Sequence, residues 1–223
     1  MKQLVLDMGL PTAPTLANFV VGDNAAMLEH LQRWLRGEVS NVPTYLWGGR
    51  GSGKSHLLQA VASELLGQGA RLGWLDATVH GERHFNESWS AILLDDLHCY
   101  TPVQQQQAFN WLINAQTQQC PVLATGEHAP VALLLRDDLR TRLGWGHVYG
   151  LQLLDEVAQR EVLRQSAIAR GLLLGDEVLD YMLKRFSRDL GSLMELLQQM
   201  DYYAMQTQRS MTIPLIKSMM DNA

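Results

Sequence analysis

Residues 44–58 read TYLWGGRGSGKSHLL, and this stretch decides the fold. From Gly48 it spells G-x-x-x-x-G-K-S, with Gly48, Gly53, Lys54 and Ser55 at the fixed positions. An apolar, β-prone run (Tyr45, Leu46, Trp47) precedes it and a run of helix formers (56–66) follows. Strand, glycine-rich turn, helix is the context in which this spacing binds phosphate. Gly48, Gly49, Gly51 and Gly53 let the backbone turn its N–H groups inward with no Cβ in the way. The positive end of the following helix favours an anion there. Ser52 and His56 fall within the same loop and first turn. Lys54 is expected to reach the β- and γ-phosphates of ATP or ADP, and the Ser55 hydroxyl to ligate Mg2+.

Forty residues downstream a second acidic element answers the first. Residues 90–98, SAILLDDLH, carry a continuous apolar run, as a central parallel strand buried on both faces requires. The run ends in Asp95 and Asp96, at the strand end where open α/β sheets bind ligands. Asp95 is expected to hold Mg2+ through water beside Ser55, and Asp96 to orient or polarise the attacking water. A further short strand, PVLAT (121–125), ends in Thr125, whose hydroxyl could contact the γ-phosphate or the water.

The rest of the chain fits one α/β domain followed by helices. Residues 18–22, NFVVG, form an apolar turn before a helix that Asp23 or Asn24 could cap, with Leu28, Leu31, Trp34 and Leu35 on its apolar face. In nucleotide-binding chains such a turn often packs on adenine, which makes Phe19, Val20 and Val21 candidate base contacts. RLGWL (71–75) reads as a strand, and 77–90 as a polar link whose His80 and His84 lack metal-ligand spacing. A helix over 102–117 opens on Pro102, a second over 133–143 carries Arg136, Arg140 and Arg142, GWG (144–146) stops it, and HVYGL (147–151) is the last strand. After Asp155 strands vanish. Helices are expected near 156–170, 175–187, 189–207 and 213–221, with an extended link at 212–214. The expected domains are 1–14, an extended peptide; 15–153, a parallel-sheet α/β domain; and 154–223, an all-α lid.

Composition narrows the function classes. A net charge of −5 over 223 residues, with no basic stripe, argues against strong nucleic-acid binding by this chain alone. The two cysteines, Cys99 and Cys120, lie far apart and suit a reduced cytoplasm, each as a small buried hydrophobe. No apolar run reaches membrane-spanning length, and the N-terminus has no signal-like apolar core.

Together, a phosphate loop, a two-acid strand, a polar strand end, an arginine-bearing helix before GWG and a helical lid resemble the AAA+ plan. NFVVG, YLWGGRGSGKSHLLQA, LLLDDLH, RTRLGWG, LKRF and MTIPLIKSMM each resemble the ATPase core of the bacterial replication initiator DnaA, and they span residues 15–220. The match has no counterpart for DnaA's helix-turn-helix domain, and the link from Asp76 to Ala91 is short for the helices DnaA uses on single-stranded DNA. At the front, Gln3, Leu4, Leu6 and Met8 resemble the short peptide by which bacterial proteins dock on the DNA polymerase sliding clamp.

The resemblance implies a DnaA-related regulator of initiation that works with the DNA-loaded clamp (β subunit) to make DnaA hydrolyse its ATP, in the bacterial cytoplasm near the replisome. Within it, Arg142 corresponds to the arginine that completes a neighbouring subunit's nucleotide site. An arginine finger of this kind can be worth roughly a thousandfold in rate. The family's lid-sensor arginine is replaced by Gly191, with Arg188 one turn earlier, which implies weak intrinsic hydrolysis and a nucleotide held as a structural ligand. The alternatives are an autonomous AAA+ ATPase such as a helicase loader, or a nucleotide-binding clamp adaptor with no catalytic part. A homo-oligomer is compatible with each.

Overall fold

The computed structural model describes residues 13–186 and 190–221. The clamp-like residues Gln3, Leu4, Leu6 and Met8, and Arg188, lie outside the described residues. The chain divides into two compact units, Pro14–Leu153 and the segment from Leu154 onward.

The first unit is built on a five-stranded parallel sheet. Its strands are β1 (Thr44–Trp47), β2 (Leu72–Leu75), β3 (Ala91–Leu94), β4 (Val122–Gly126) and β5 (His147–Gly150), in the order β2-β3-β4-β1-β5. Parallel pairing demands crossovers; helices supply those from β1 to β2, β3 to β4 and β4 to β5, whereas residues 76–90 cross from β2 to β3 without one. The helices of this unit are α1 (Ala25–Leu35), α2 (Lys54–Gly67), α3 (Pro102–Gln118) and α4 (Asp137–Gly144).

Alternation along the strands sends residues to two cores. Tyr45, Ile92, Leu94, Val122 and Ala124 pack with Trp111, Leu112, Leu139 and Leu143 from α3 and α4. Leu46, Ala91, Leu93 and Leu123 pack with Met27, Leu31, Leu57, Leu58 and Val61 from α1 and α2. β3 is buried along its whole length, as a strand covered on both faces must be.

The second unit is all helix: α5 (Glu156–Ala169), α6 (Asp176–Arg185), α7 (Leu190–Thr207) and α8 (Ile213–Asp221). Leu163, Leu179, Met182, Leu193, Met200 and Ile216 form its core. Arg160 joins α5 to α6 through Asp176 and Asp180, and Arg164 adds a 2.6 Å contact to Asp176. Asp155 caps α5 by accepting from the Ala158 N–H at 2.7 Å.

Several expectations are corrected. The helix expected over 133–143 begins only at Asp137. Ahead of it the chain is a 3-10 turn (Pro130–Ala132) and then extended, with Leu133 and Leu135 buried and Leu134 pointing out at 97% exposure. The leucine run is a period-two pattern that a helical count also accommodates. Asn24 precedes α1 but does not cap it; its side chain accepts from Gln152 N at 2.8 Å and donates to Gln152 O at 3.1 Å. Pro214 lies in the first turn of α8 rather than in an extended link, a position where its missing N–H costs nothing. Cys99 is exposed rather than buried, whereas Cys120 is buried.

Candidate functional site

The register of the sheet brings the two motifs together. β1 pairs with β4 so that Trp47 meets Gly126, and β3 pairs with β4 so that Leu94 meets Ala124. Gly48, Asp95 and Thr125 therefore emerge side by side at the carboxyl edge of the central strands.

The phosphate loop has the backbone its glycines permit. Gly51 and Gly53 have φ of +78° and +91°, which side chains beyond glycine rarely adopt. Gly48 is buried tightly enough that a Cβ would lie 2.8 Å from Ser52 Oγ and 2.9 Å from Leu151 O. Lys54 opens α2 and is nearly buried, its Nζ donating to Gly48 O at 2.8 Å and Gly49 O at 3.0 Å. These two carbonyls hold the lysine ammonium over the loop. Ser52 Oγ is buried and has no hydrogen-bond partner among the described residues. A loop of N–H groups, a helix N-terminus, a lysine and an unpaired buried hydroxyl make a donor set that fits phosphate oxygens.

Asp95 is the hub beside it. Thr125 Oγ1 donates to Asp95 Oδ1 at 2.5 Å, and Ser55 Oγ donates to the same oxygen at 3.4 Å. Burial raises the Asp95 carboxyl above the ordinary value; the two hydroxyl donors pull the other way. Thr125 is fully buried and its hydroxyl also accepts the Asp96 N–H at 2.9 Å. Its one proton is committed to Asp95, so Thr125 positions the two acids where the sequence suggested direct contact with phosphate or water.

Asp96 has φ 50° and ψ 50°, a left-handed turn that aspartate tolerates better than most residues. Its carboxylate is 43% exposed. His98, at the end of the turn, lies between two acids: Nδ1 is 3.9 Å from Asp96 Oδ1 and Nε2 is 3.4 Å from Glu127 Oε2. Sequence reasoning missed His98 and Glu127, because only the pairing of β3 with β4 makes them neighbours. Among the described residues no group of three His, Cys, Asp or Glu side chains is arranged to hold a metal by itself. One hydroxyl and one carboxylate, with waters and phosphate completing the shell, is a donor set suited to Mg2+.

Phe19 lies against the loop: a Cβ on Gly53 would meet its ring at 2.7 Å, and its centroid is 5.8 Å from the His56 ring. His56 Nε2 contacts Thr15 O at 3.1 Å, and burial lowers its pKa. Val20 is 39% exposed, and Val21 O accepts from Asn24 N at 2.9 Å. Phe19, Val20 and Val21 thus belong to one turn beside the phosphate loop.

Arg142 is elsewhere. It lies in the last turn of α4, just before β5, among Asn41, Val42, Pro43, Cys120 and Val122 at the amino edge of the sheet. Its Nη1 donates to Gln116 Oε1 at 2.6 Å and its guanidinium is 5.7 Å from the Phe109 ring centroid. A four-residue strand spans roughly 13 Å, so sheet and helix separate Arg142 from its own phosphate loop. Gly146 is needed nearby, since a Cβ there would overlap the Pro43 carbonyl. Trp145 is 77% exposed beside it.

A parallel sheet of this order, a phosphate loop after β1, an acid pair after β3 two places away and a separate helical unit define an AAA+ fold. More particularly, residues 149–220 match the family model for Hda, lid domain. The structure is similar to domain III of the Thermotoga maritima replication initiation protein DnaA, with a TM-score of 0.79 at 18% identity, covering 99% of this chain and 98% of that one. It is also similar to a replication initiator DnaA bound to AMPPCP and single-stranded DNA, with a TM-score of 0.69 at 22% identity. There it covers 86% of this chain and 65% of that one, so the chain spans less than two thirds of that relative. The Thermotoga maritima RuvB Holliday junction branch migration motor is similar at a TM-score of 0.59 and 16% identity, over 86% of this chain and 68% of that one. The chain thus has a DnaA-like AAA+ fold, and residues 149–220 are similar to the Hda lid domain.

Proposed function

We propose that this chain is a cytoplasmic, DnaA-related regulator of replication initiation that binds adenine nucleotide and promotes hydrolysis of DnaA-bound ATP. Arg142 acts in trans on DnaA's triphosphate, and the peptide Gln3, Leu4, Leu6 and Met8 docks the chain on the sliding clamp. The observation that carries this reading is the separation of Arg142 from its own loop. A guanidinium at the amino edge of the sheet has no use for the phosphate at the carboxyl edge, which supports a use on a neighbour's.

In the chain's own site, the loop amides, Ser52 and Lys54 would hold the phosphates, and Ser55 with Asp95 would hold Mg2+. Bound Mg2+ would neutralise charge on the phosphate oxygens. Phe19, Val20, Val21 and His56 would flank the nucleoside. Gly191, in the first turn of α7, stands where the resemblance implies a lid-sensor arginine and carries no side-chain cation, which supports slow turnover with ADP retained. A second reading, an ATPase working alone, draws support from the complete Ser55–Asp95–Thr125 cluster and the accessible Asp96 carboxylate. It requires fast steady-state hydrolysis by the purified chain.

The deciding measurement is hydrolysis of DnaA-bound ATP in the presence of clamp loaded on DNA. The intact chain, Arg142→Ala and a variant lacking residues 1–10 are compared. The proposal expects stimulation by the intact chain and loss in both variants, with Arg142→Ala down by roughly a hundredfold or more. Unchanged stimulation with Arg142→Ala overturns it.

A further inference from the structure

We infer that Gln116 is a positioning residue for Arg142, holding the guanidinium poised and charged for a phosphate on another protein; this rests on the trans reading above. Arg142 closes α4, and Gln116 lies in the last turn of α3. Phe109 lies seven residues earlier on the same face, two helical turns away. Together they form a shelf: the amide oxygen of Gln116 accepts from Arg142 Nη1 at 2.6 Å, and the ring of Phe109 is 5.7 Å from Arg142 Cζ. The second arginine on that ring, Arg136 at 5.4 Å, is engaged by Asp138 and by Gln106. Arg142 has no carboxylate partner: among the described residues, Nη1 is the guanidinium nitrogen with a hydrogen bond, and its acceptor is neutral.

The difference between an amide and a carboxylate matters here. An amide oxygen orients the fork and leaves its positive charge for a phosphate; a carboxylate would orient it equally well and neutralise it. A long arginine side chain also loses rotamer freedom when it engages the phosphate in the transition state of an already docked complex, and a shelf that has removed part of that freedom lowers the cost of that step rather than of docking. By this reasoning pre-orientation is worth roughly two- to tenfold in the stimulated rate.

The test is the same clamp-dependent assay, with Gln116→Ala and Gln116→Glu added to the intact chain and Arg142→Ala. Both rate and half-saturating concentration are read, at low and at moderate salt. Gln116→Ala is expected to lower the maximal rate roughly two- to tenfold while the half-saturating concentration stays fixed. Gln116→Glu is expected to lower it further, and to recover part of the loss as salt screens the new ion pair. That recovery, missing in Gln116→Ala, is a readout that a merely structural residue does not move. Two results overturn the inference: both variants matching the intact chain while Arg142→Ala is inactive, or a loss in Gln116→Ala carried wholly by a raised half-saturating concentration. Neither touches the trans reading, which falls only if Arg142→Ala itself retains full stimulation.

Discussion

A single histidine carries the clearest pH dependence in this chain. His30 is 6% exposed, with Nε2 2.9 Å from the hydroxyl of the fully buried Thr44. Its ring is 4.7 Å from that of His147. Burial first, then His147, then Arg33, lowers its pKa from 6.5 to about 4. A depressed value means that the unfolded chain takes up the proton first, so stability is intact above pH 6.5 and falls as pH drops toward 4. The loss should reach about 2 kcal/mol by pH 5 and at most roughly 3 kcal/mol below pH 4. Thermal melts of the intact chain and of His30→Asn between pH 7.5 and pH 5 check this. The variant's Tm should fall less steeply across that window, and parallel curves would refute the assignment. The same logic of burial explains Asp95, whose raised carboxyl is kept useful by donors from Ser55 and Thr125.

The elements explain both the success and the failure of reading the sequence. The strand–loop–helix around Lys54 was readable because three constraints coincide in fifteen residues: apolar β-prone residues, glycines at positive φ, and a helix start. β3 was readable because a doubly buried strand needs an unbroken apolar run. The leucine run at 133–135 was not, because Leu133, Leu134 and Leu135 satisfy a helical count as readily as a strand's alternation; only packing separates them. A measurement can separate them too. Leu135, 8% exposed in the core, and Leu134, 97% exposed, differ in burial although adjacent and identical in type. Leu135→Ala should cost about 2–3 kcal/mol, lowering Tm by about 5–10 °C. Leu134→Ala should stay within about 0.5 kcal/mol. Equal shifts would mean that the segment is not extended as described. His98, Glu127 and Gln116 were equally hidden, since each acquires its neighbour only when β3 pairs with β4 or when α3 packs on α4.

The whole chain holds its phosphate loop and its candidate finger at opposite edges of one sheet, and this division gives the bound nucleotide a structural task. The loop joins β1 to α2, so anything gripping it also braces the strand and helix that carry both cores of the first unit. A ligand that binds only the folded state stabilises it by about 2.7 kcal/mol at a hundred times its Kd. For a chain of this length that corresponds to roughly 5–10 °C in Tm. ADP at such excess should therefore raise the Tm of the intact chain by that amount, and Lys54→Met should abolish the rise. Arg142→Ala should respond to ADP like the intact chain, because its side chain belongs to the other edge. If Arg142→Ala blunts the ADP response, or if Lys54→Met leaves it whole, the two edges do not have the separate roles assigned to them here.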